Sequence, residues 1–294
     1  MLPRISFQRL AIGAIHRGAA ARFSRSYSVA LARDAFLEPV QGHPSIACLS
    51  LNRPKTKNAI SMNMLKELRE SLEEAASDNS ISVLILRSTA PGAFCAGADL
   101  SERRTMTMAQ VNKFLTNLRS TFSLLENLPM PTIAAIDGPA LGGGLEMALS
   151  CDIRVAGRDA TKIGLPEARL GIIPGAGGTQ RAARILGLPR AKALIFTGKM
   201  LTAEEAKEWD VVDFLAEPST TAYDRALALA QEMTNSAPLA LRAAKLSISR
   251  AFDLPLESGL DFERACYAPL LKTKDRDEAL EAFREKRKAI FRGE

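Results

Sequence analysis

Across residues 45–157 short β-rich runs alternate with amphipathic helical patterns, and this alternation limits the possible folds more than any single motif does. Residues 46–51, 83–86, 132–136 and 153–156 are apolar runs bounded by polar residues, glycine or proline, as strands are. Between them Leu65, Leu68, Leu72 and Ala76 recur at helical spacing behind a possible cap, Ser61. Val111, Leu115, Leu118, Phe122 and Leu125 mark a longer helix. Strand and helix in turn predict an α/β architecture with parallel strands, because a parallel neighbour is reached only by a crossover. After Val211 to Leu215 the strand signal fades. Four helical patterns follow, over 221–234, 238–251, 256–271 and 275–291.

A chain of 294 residues, 47% apolar, can bury a full core. Its formal charge of +6 suggests nucleic acid or a membrane surface until the charge is located. Residues 1–33 hold six of the 39 basic residues, all arginine, and no acid; the other 33 balance the 33 acidic residues. The body is therefore formally neutral. Arginine and serine without acids, with Leu2, Ile5, Leu10, Ile12 and Ile15 able to share an apolar face, is the composition of a mitochondrial presequence. Arg25-Ser26-Tyr27-Ser28 resembles a matrix-processing site, so cleavage is expected near 27/28 and the destination is the mitochondrial matrix. The expected organisation is a presequence over 1–33, an α/β core over 39–217 and a helical region over 218–294. No run reaches the ~20 apolar residues that a membrane span requires.

Two histidines, one of them (His16) in the presequence, leave His43 alone and argue against a histidine triad or a histidine-rich metal site. Cys48, Cys95, Cys151 and Cys266 are widely spaced and read as small apolar residues rather than disulfides or ligands. Chemistry then falls to carboxylates. Glu146 follows Gly142-Gly143-Gly144-Leu145, and Glu167 opens Pro166-Glu167-Ala168-Arg169-Leu170-Gly171. Glycines let backbone N–H groups approach a ligand, and a carboxylate beside such a turn can move protons next to a stabilised oxyanion. Gly175-Ala176-Gly177-Gly178 is not a dinucleotide loop, since Gln180 stands where a third glycine belongs; it reads as a turn opening the next helix. The triple glycine lacks the Gly-Lys-Ser/Thr ending of a P-loop.

Four segments in order resemble the crotonase (enoyl-CoA hydratase/isomerase) superfamily, and the resemblance runs from about Pro39 to the C-terminus. They are Leu51-Asn52-Arg53-Pro54-Lys55 with Asn58-Ala59, then Ala93-Phe94-Cys95-Ala96-Gly97-Ala98-Asp99-Leu100. The third runs from Ala135 to Glu146 and on to Cys151-Asp152; the fourth runs from Pro166 through Gly171 to Thr179-Gln180-Arg181. The resemblance implies a spiral of ββα units, with C-terminal helices at a trimer contact and trimers stacked into hexamers. It implies an oxyanion hole from the Ala98 and Gly143 amides, and Glu146 and Glu167 as the catalytic pair, Glu146 on water and Glu167 as proton donor. Ala96, Ala98, Asp99, Leu100 and Gly143 are expected to contact the acyl-CoA thioester. No metal is implied, and no cofactor apart from coenzyme A carried within the substrate.

Asp152-Ile153-Arg154-Val155-Ala156 and Glu263-Arg264-Ala265-Cys266-Tyr267-Ala268 are similar to the branch that hydrates 3-methylglutaconyl-CoA to 3-hydroxy-3-methylglutaryl-CoA in leucine degradation. A short-chain enoyl-CoA hydratase of fatty-acid oxidation is the alternative. The first substrate carries a distal carboxylate, for which Arg103, Arg104 and Arg169 are candidates. Lys55, Lys57, Lys286 and Arg287 are candidates for CoA phosphates, and Phe262 and Tyr267 for the acyl route. RNA binding, an alternative of another class, requires a cation cluster. The helix pattern from Met62 to Ala76 instead sets Lys66 and Arg69 against Glu67, Glu70, Glu73 and Glu74, and nucleic acid is not expected as a partner.

Overall fold

The computed structural model describes residues 33–294, so the expected presequence and its cleavage site lie outside the described residues apart from Arg33. In chain order the strands are β1 (Ala35–Val40), β2 (His43–Leu51), β3 (Val83–Ser88), β4 (Thr132–Ile136), β5 (Ala140–Leu141), β6 (Ile153–Ala156), β7 (Ile163–Gly164) and β8 (Phe214–Leu215). One sheet has the order β1-β2-β3-β4-β6-β8, parallel from β2 onward, with β1 antiparallel at its edge. β5 and β7 form a separate parallel pair. The architecture is α/β, as the alternation predicts.

Period-two alternation sends the strand side chains to two faces, and both are covered. Leu49, Leu84, Leu86, Ala134 and Ile136 join the larger core under helices α1 (Met62–Ser77) and α3 (Met108–Glu126); a short α2 (Leu100–Arg103) lies between these helices in sequence. Ile46, Cys48, Val83, Ile85, Ile133 and Val155 form the opposite cluster. Burial on both faces is what a parallel sheet requires. Ser61 caps α1 by accepting the Met64 N–H at 3.1 Å, and Thr107 with Gln110 forms a capping box on α3.

After β5 come α4 (Gly143–Ala148), α5 (Gly178–Leu186), α6 (Leu188–Thr197) and α7 (Ala203–Glu208). The chain then turns helical in α8 (Ala222–Met233), α9 (Pro238–Ile248), α10 (Leu256–Tyr267) and α11 (Lys274–Glu285). α8 lays Ala222, Ala226 and Ala230 on the second face of the sheet. Two boundaries differ from expectation. The sheet begins at Ala35 rather than near residue 39, because β1 is an edge strand broken by a register shift at Pro39, where a missing N–H is tolerated. The last helix stops at Glu285 rather than near 291, because Lys286 adopts the left-handed conformation (φ 54°) that ends helices. Among the described residues no helix is long and apolar enough to cross a membrane.

Candidate active site

The two-residue strands β5 and β7 bring the site together. The Gly142 N–H donates to Gly164 O at 3.0 Å, so the chain entering α4 runs beside the chain leaving β7 for the 3-10 turn Glu167–Leu170. Leu141 N–H donates to Cys95 O at 3.0 Å, which lays residues 95–98 alongside. Three segments remote in sequence thereby share a cavity of about 610 Å³. Its lining includes Ala96, Ala98, Leu100, Gly143, Glu146 and Glu167.

Glu146 lies in α4, buried. Its Oε1 accepts the Gly178 N–H at 2.7 Å and the Ala176 N–H at 2.8 Å. The glycine-rich turn does open the next helix, as expected, but it also clamps a catalytic candidate, which no spacing rule reveals. Burial raises the Glu146 carboxyl above its ordinary range, and those two amides oppose the rise. A carboxylate oxygen holding two charge-assisted bonds is fixed in place.

Glu167 has a different environment. It is also buried, yet its Oε2 finds no hydrogen-bond partner among the described residues. Burial, aided by the neighbouring Glu146 charge, pushes it up to about 7. A buried carboxyl oxygen with no donor is costly when ionised, so Glu167 holds its proton to a higher pH than an ordinary carboxyl. The cavity thus holds one clamped acid and one acid that titrates near neutrality.

Ala98 and Gly143, the candidate backbone donors, line the same cavity. Gly142 takes φ 50°, and a side chain there would place Cβ 2.9 Å from Glu167 Oε1. Gly143 then starts α4, where the first N–H groups have no partner within the helix. The Ile60–Ala98 bridge is made through Gly97 O and the Asp99 N–H, at 2.7 and 3.0 Å, which leaves the Ala98 N–H outside that ladder. A Cβ on Gly143 would lie 3.7 Å from Ala98 N, so the two amides are neighbours. Such a pair can receive one developing oxyanion.

Other sequence candidates fall out unevenly. The Asp99 side chain holds the loop: Oδ1 accepts the Ser101 and Glu102 N–H groups at 3.1 and 3.2 Å, and Oδ2 pairs with Arg53 at 3.1 Å. Arg103 lines the cavity. Arg104 is exposed and outside the lining, and Arg169 donates to Thr197 O at 2.9 and 2.7 Å instead. Lys55, Lys57, Phe262, Tyr267, Lys286 and Arg287 do not line it. Cys95 is inert: burial pushes its thiol up to about 12, and its Sγ donates to Asn58 O at 3.0 Å. Leu115 and Leu118, which the sequence shows only as part of a helical pattern, also line the cavity. Helical periodicity marks an inward face but cannot tell a packed wall from a hollow.

Comparison with known proteins identifies the family. The enoyl-CoA hydratase/isomerase family model matches residues 41–294. An enoyl-CoA isomerase/hydratase of Mycosarcoma maydis is 52% identical over 88% of this chain and 97% of its own length. The mitochondrial methylglutaconyl-CoA hydratase of Mus musculus is 48% identical over 85% of this chain and 80% of its own. The crystal structure of an enoyl-CoA hydratase from Bacillus anthracis superposes with a TM-score of 0.85 at 41% identity, covering 89% of this chain and all of that one. The chain has the crotonase fold and belongs to the enoyl-CoA hydratase/isomerase family, as an enzyme of the carbon–oxygen lyase class.

Proposed function

We propose that this enzyme adds water across the 2,3 double bond of an enoyl-CoA thioester. The thioester oxygen sits between the Ala98 and Gly143 amides, and the CoA arm follows Ala96, Asp99 and Leu100. Glu146 takes a proton from water as its oxygen bonds to C3. The electron pair of the double bond moves toward the thioester, whose oxygen takes up charge against the two amides. Glu167 then delivers its proton to C2, and the two carboxyls reset by proton exchange. The chemistry requires no metal and no cofactor beyond the coenzyme A of the substrate. The observation that carries this reading is the inequality of the two acids in one cavity, one clamped by amides and one pushed up to about 7.

Within that reaction, 3-methylglutaconyl-CoA, formed in leucine breakdown, is the proposed substrate, in the mitochondrial matrix. The 48% identity to the mouse enzyme and the arginine-rich leader support it. A short-chain enoyl ester is the second reading, favoured by the leucine and isoleucine lining. The assembly proposed is a trimer, or a hexamer of two trimers. A panel of enoyl-CoA esters assayed with wild type, Glu146→Gln and Glu167→Gln tests the reaction. Each substitution is expected to lower turnover by roughly 10²–10⁴-fold. Hydration that survives both substitutions together would refute the mechanism, and a strong preference for crotonyl-CoA would refute the branched substrate.

A further inference from the structure

The cavity wall is mostly apolar, and among the described residues Arg103 is its one cationic side chain. Arg103 closes α2, is half-buried, and has its guanidinium 5.9 Å from the centre of the Phe114 ring. It makes no ion pair and no side-chain hydrogen bond among the described residues. Arg53, Arg87, Arg154 and Arg181 are each matched to a carboxylate. A guanidinium drawn out of water beside leucines costs free energy until an anion meets it. Neither acid of the cavity pairs with it: Glu146 is held by the Ala176 and Gly178 amides, and Glu167 makes no ion pair among the described residues.

Placement is rigid as well as apolar. Asp99 caps α2 through two backbone N–H groups, takes the Arg103 N–H on its carbonyl at 2.9 Å, and is anchored to Arg53. The cation is therefore presented from a fixed turn beside Ala98, one of the two oxyanion donors. We infer that Arg103 is a subsite for an anion at the far end of the acyl chain, a carboxylate, so that the cavity selects enoyl thioesters bearing a second, free acid. This rests on the thioester being gripped at Ala98 and Gly143 as proposed above. A CoA phosphate is the other source of an anion, and the apolar walls from Leu115 and Leu118 favour the acyl end.

The test is binding, independent of turnover. Glutaryl-CoA and valeryl-CoA have acyl chains of equal length, and only the first carries the distal acid. Calorimetric titration of wild type should show glutaryl-CoA preferred by at least about tenfold, as a charge-assisted bidentate pair implies. In Arg103→Met the glutaryl-to-valeryl affinity ratio should fall to about one, with glutaryl-CoA binding weakened by about the same factor as the lost preference and valeryl-CoA binding unchanged. Arg103→Lys should restore part of the preference, as charge without the guanidinium fork. Equal affinities in wild type, or equal weakening of both esters in Arg103→Met, would overturn the inference; equal weakening would mark a CoA phosphate contact. If wild type prefers glutaryl-CoA but hydrates no enoyl ester, the subsite stands and the proposed reaction falls. If it hydrates crotonyl-CoA without that preference, the reaction stands and the subsite falls.

Discussion

Two glutamates of identical chemistry differ here because of what surrounds each carboxyl. Glu146 receives two amide donors and Glu167 none on Oε2, so the second keeps a proton that the first gives up more readily. The sign of the pH dependence follows. A proton donor pushed up to about 7 is competent below that pH and spent above it, so kcat/KM should fall as pH rises through about 7. Glu167→Gln should abolish that limb in whatever activity remains; an unchanged limb would assign the titration elsewhere. Because the two charges interact, the limb belongs to the pair. Neighbouring glycines separate chemistry from folding. Gly142→Ala should displace Glu167 and lower kcat, since the new Cβ meets the carboxyl oxygen at 2.9 Å. Gly144→Ala places Cβ 2.8 Å from Cys95 Cβ and closer still to its carbonyl oxygen, so thermal unfolding should show a loss of roughly 1–3 kcal/mol. Both glutamates and the glycine turns were legible in the sequence. Their inequality was not, because it arises from amides thirty residues away in the chain.

At the scale of elements, the clamp on Glu146 has its own support. Arg181 of α5 donates to Ala176 O at 2.9 Å and makes a two-point pair with Glu126 at the end of α3, at 3.1 and 2.6 Å. The glycine turn is thus braced between two helices. Arg181→Met should lower kcat by roughly 10–100-fold with KM little changed, as small misplacement of a catalytic group does. Arg181→Lys should recover part of it. A change confined to thermal stability would show a merely structural brace. The strands at 132–136 and 153–156 appear where their apolar runs predict, and the helices of the core follow their 3.6-residue pattern. β5 and β7 were invisible, since two residues carry no periodicity, although they position the whole site. β1 escaped because Pro39 and a turn at Gly42 interrupt its alternation.

Over the whole chain, apolar side chains are unevenly spent. α9 and α10 bury no residue, and Ile248, Phe252, Leu256 and Phe283 are 72%, 85%, 76% and 86% exposed. Polar links hold α9 to the core, with Lys245 on Asp152 at 2.7 Å and Arg242 on Asn79 at 2.8 Å. Exposed apolar surface on this scale marks an association face. Light scattering is expected to give three or six times the chain mass, and Phe252→Glu combined with Phe283→Glu to lower it; a monomeric wild type would contradict the proposed assembly. Periodicity announced these helices without saying what they cover, since burial against one's own core and against another subunit demand the same pattern. The reliance on two-residue strands has a kinetic corollary. β5 and β7 pair at only two residues each, a ladder too short to hold its place until the larger sheet and its helices are packed around it. During renaturation the broad sheet should regain its protection from hydrogen exchange before catalytic competence returns.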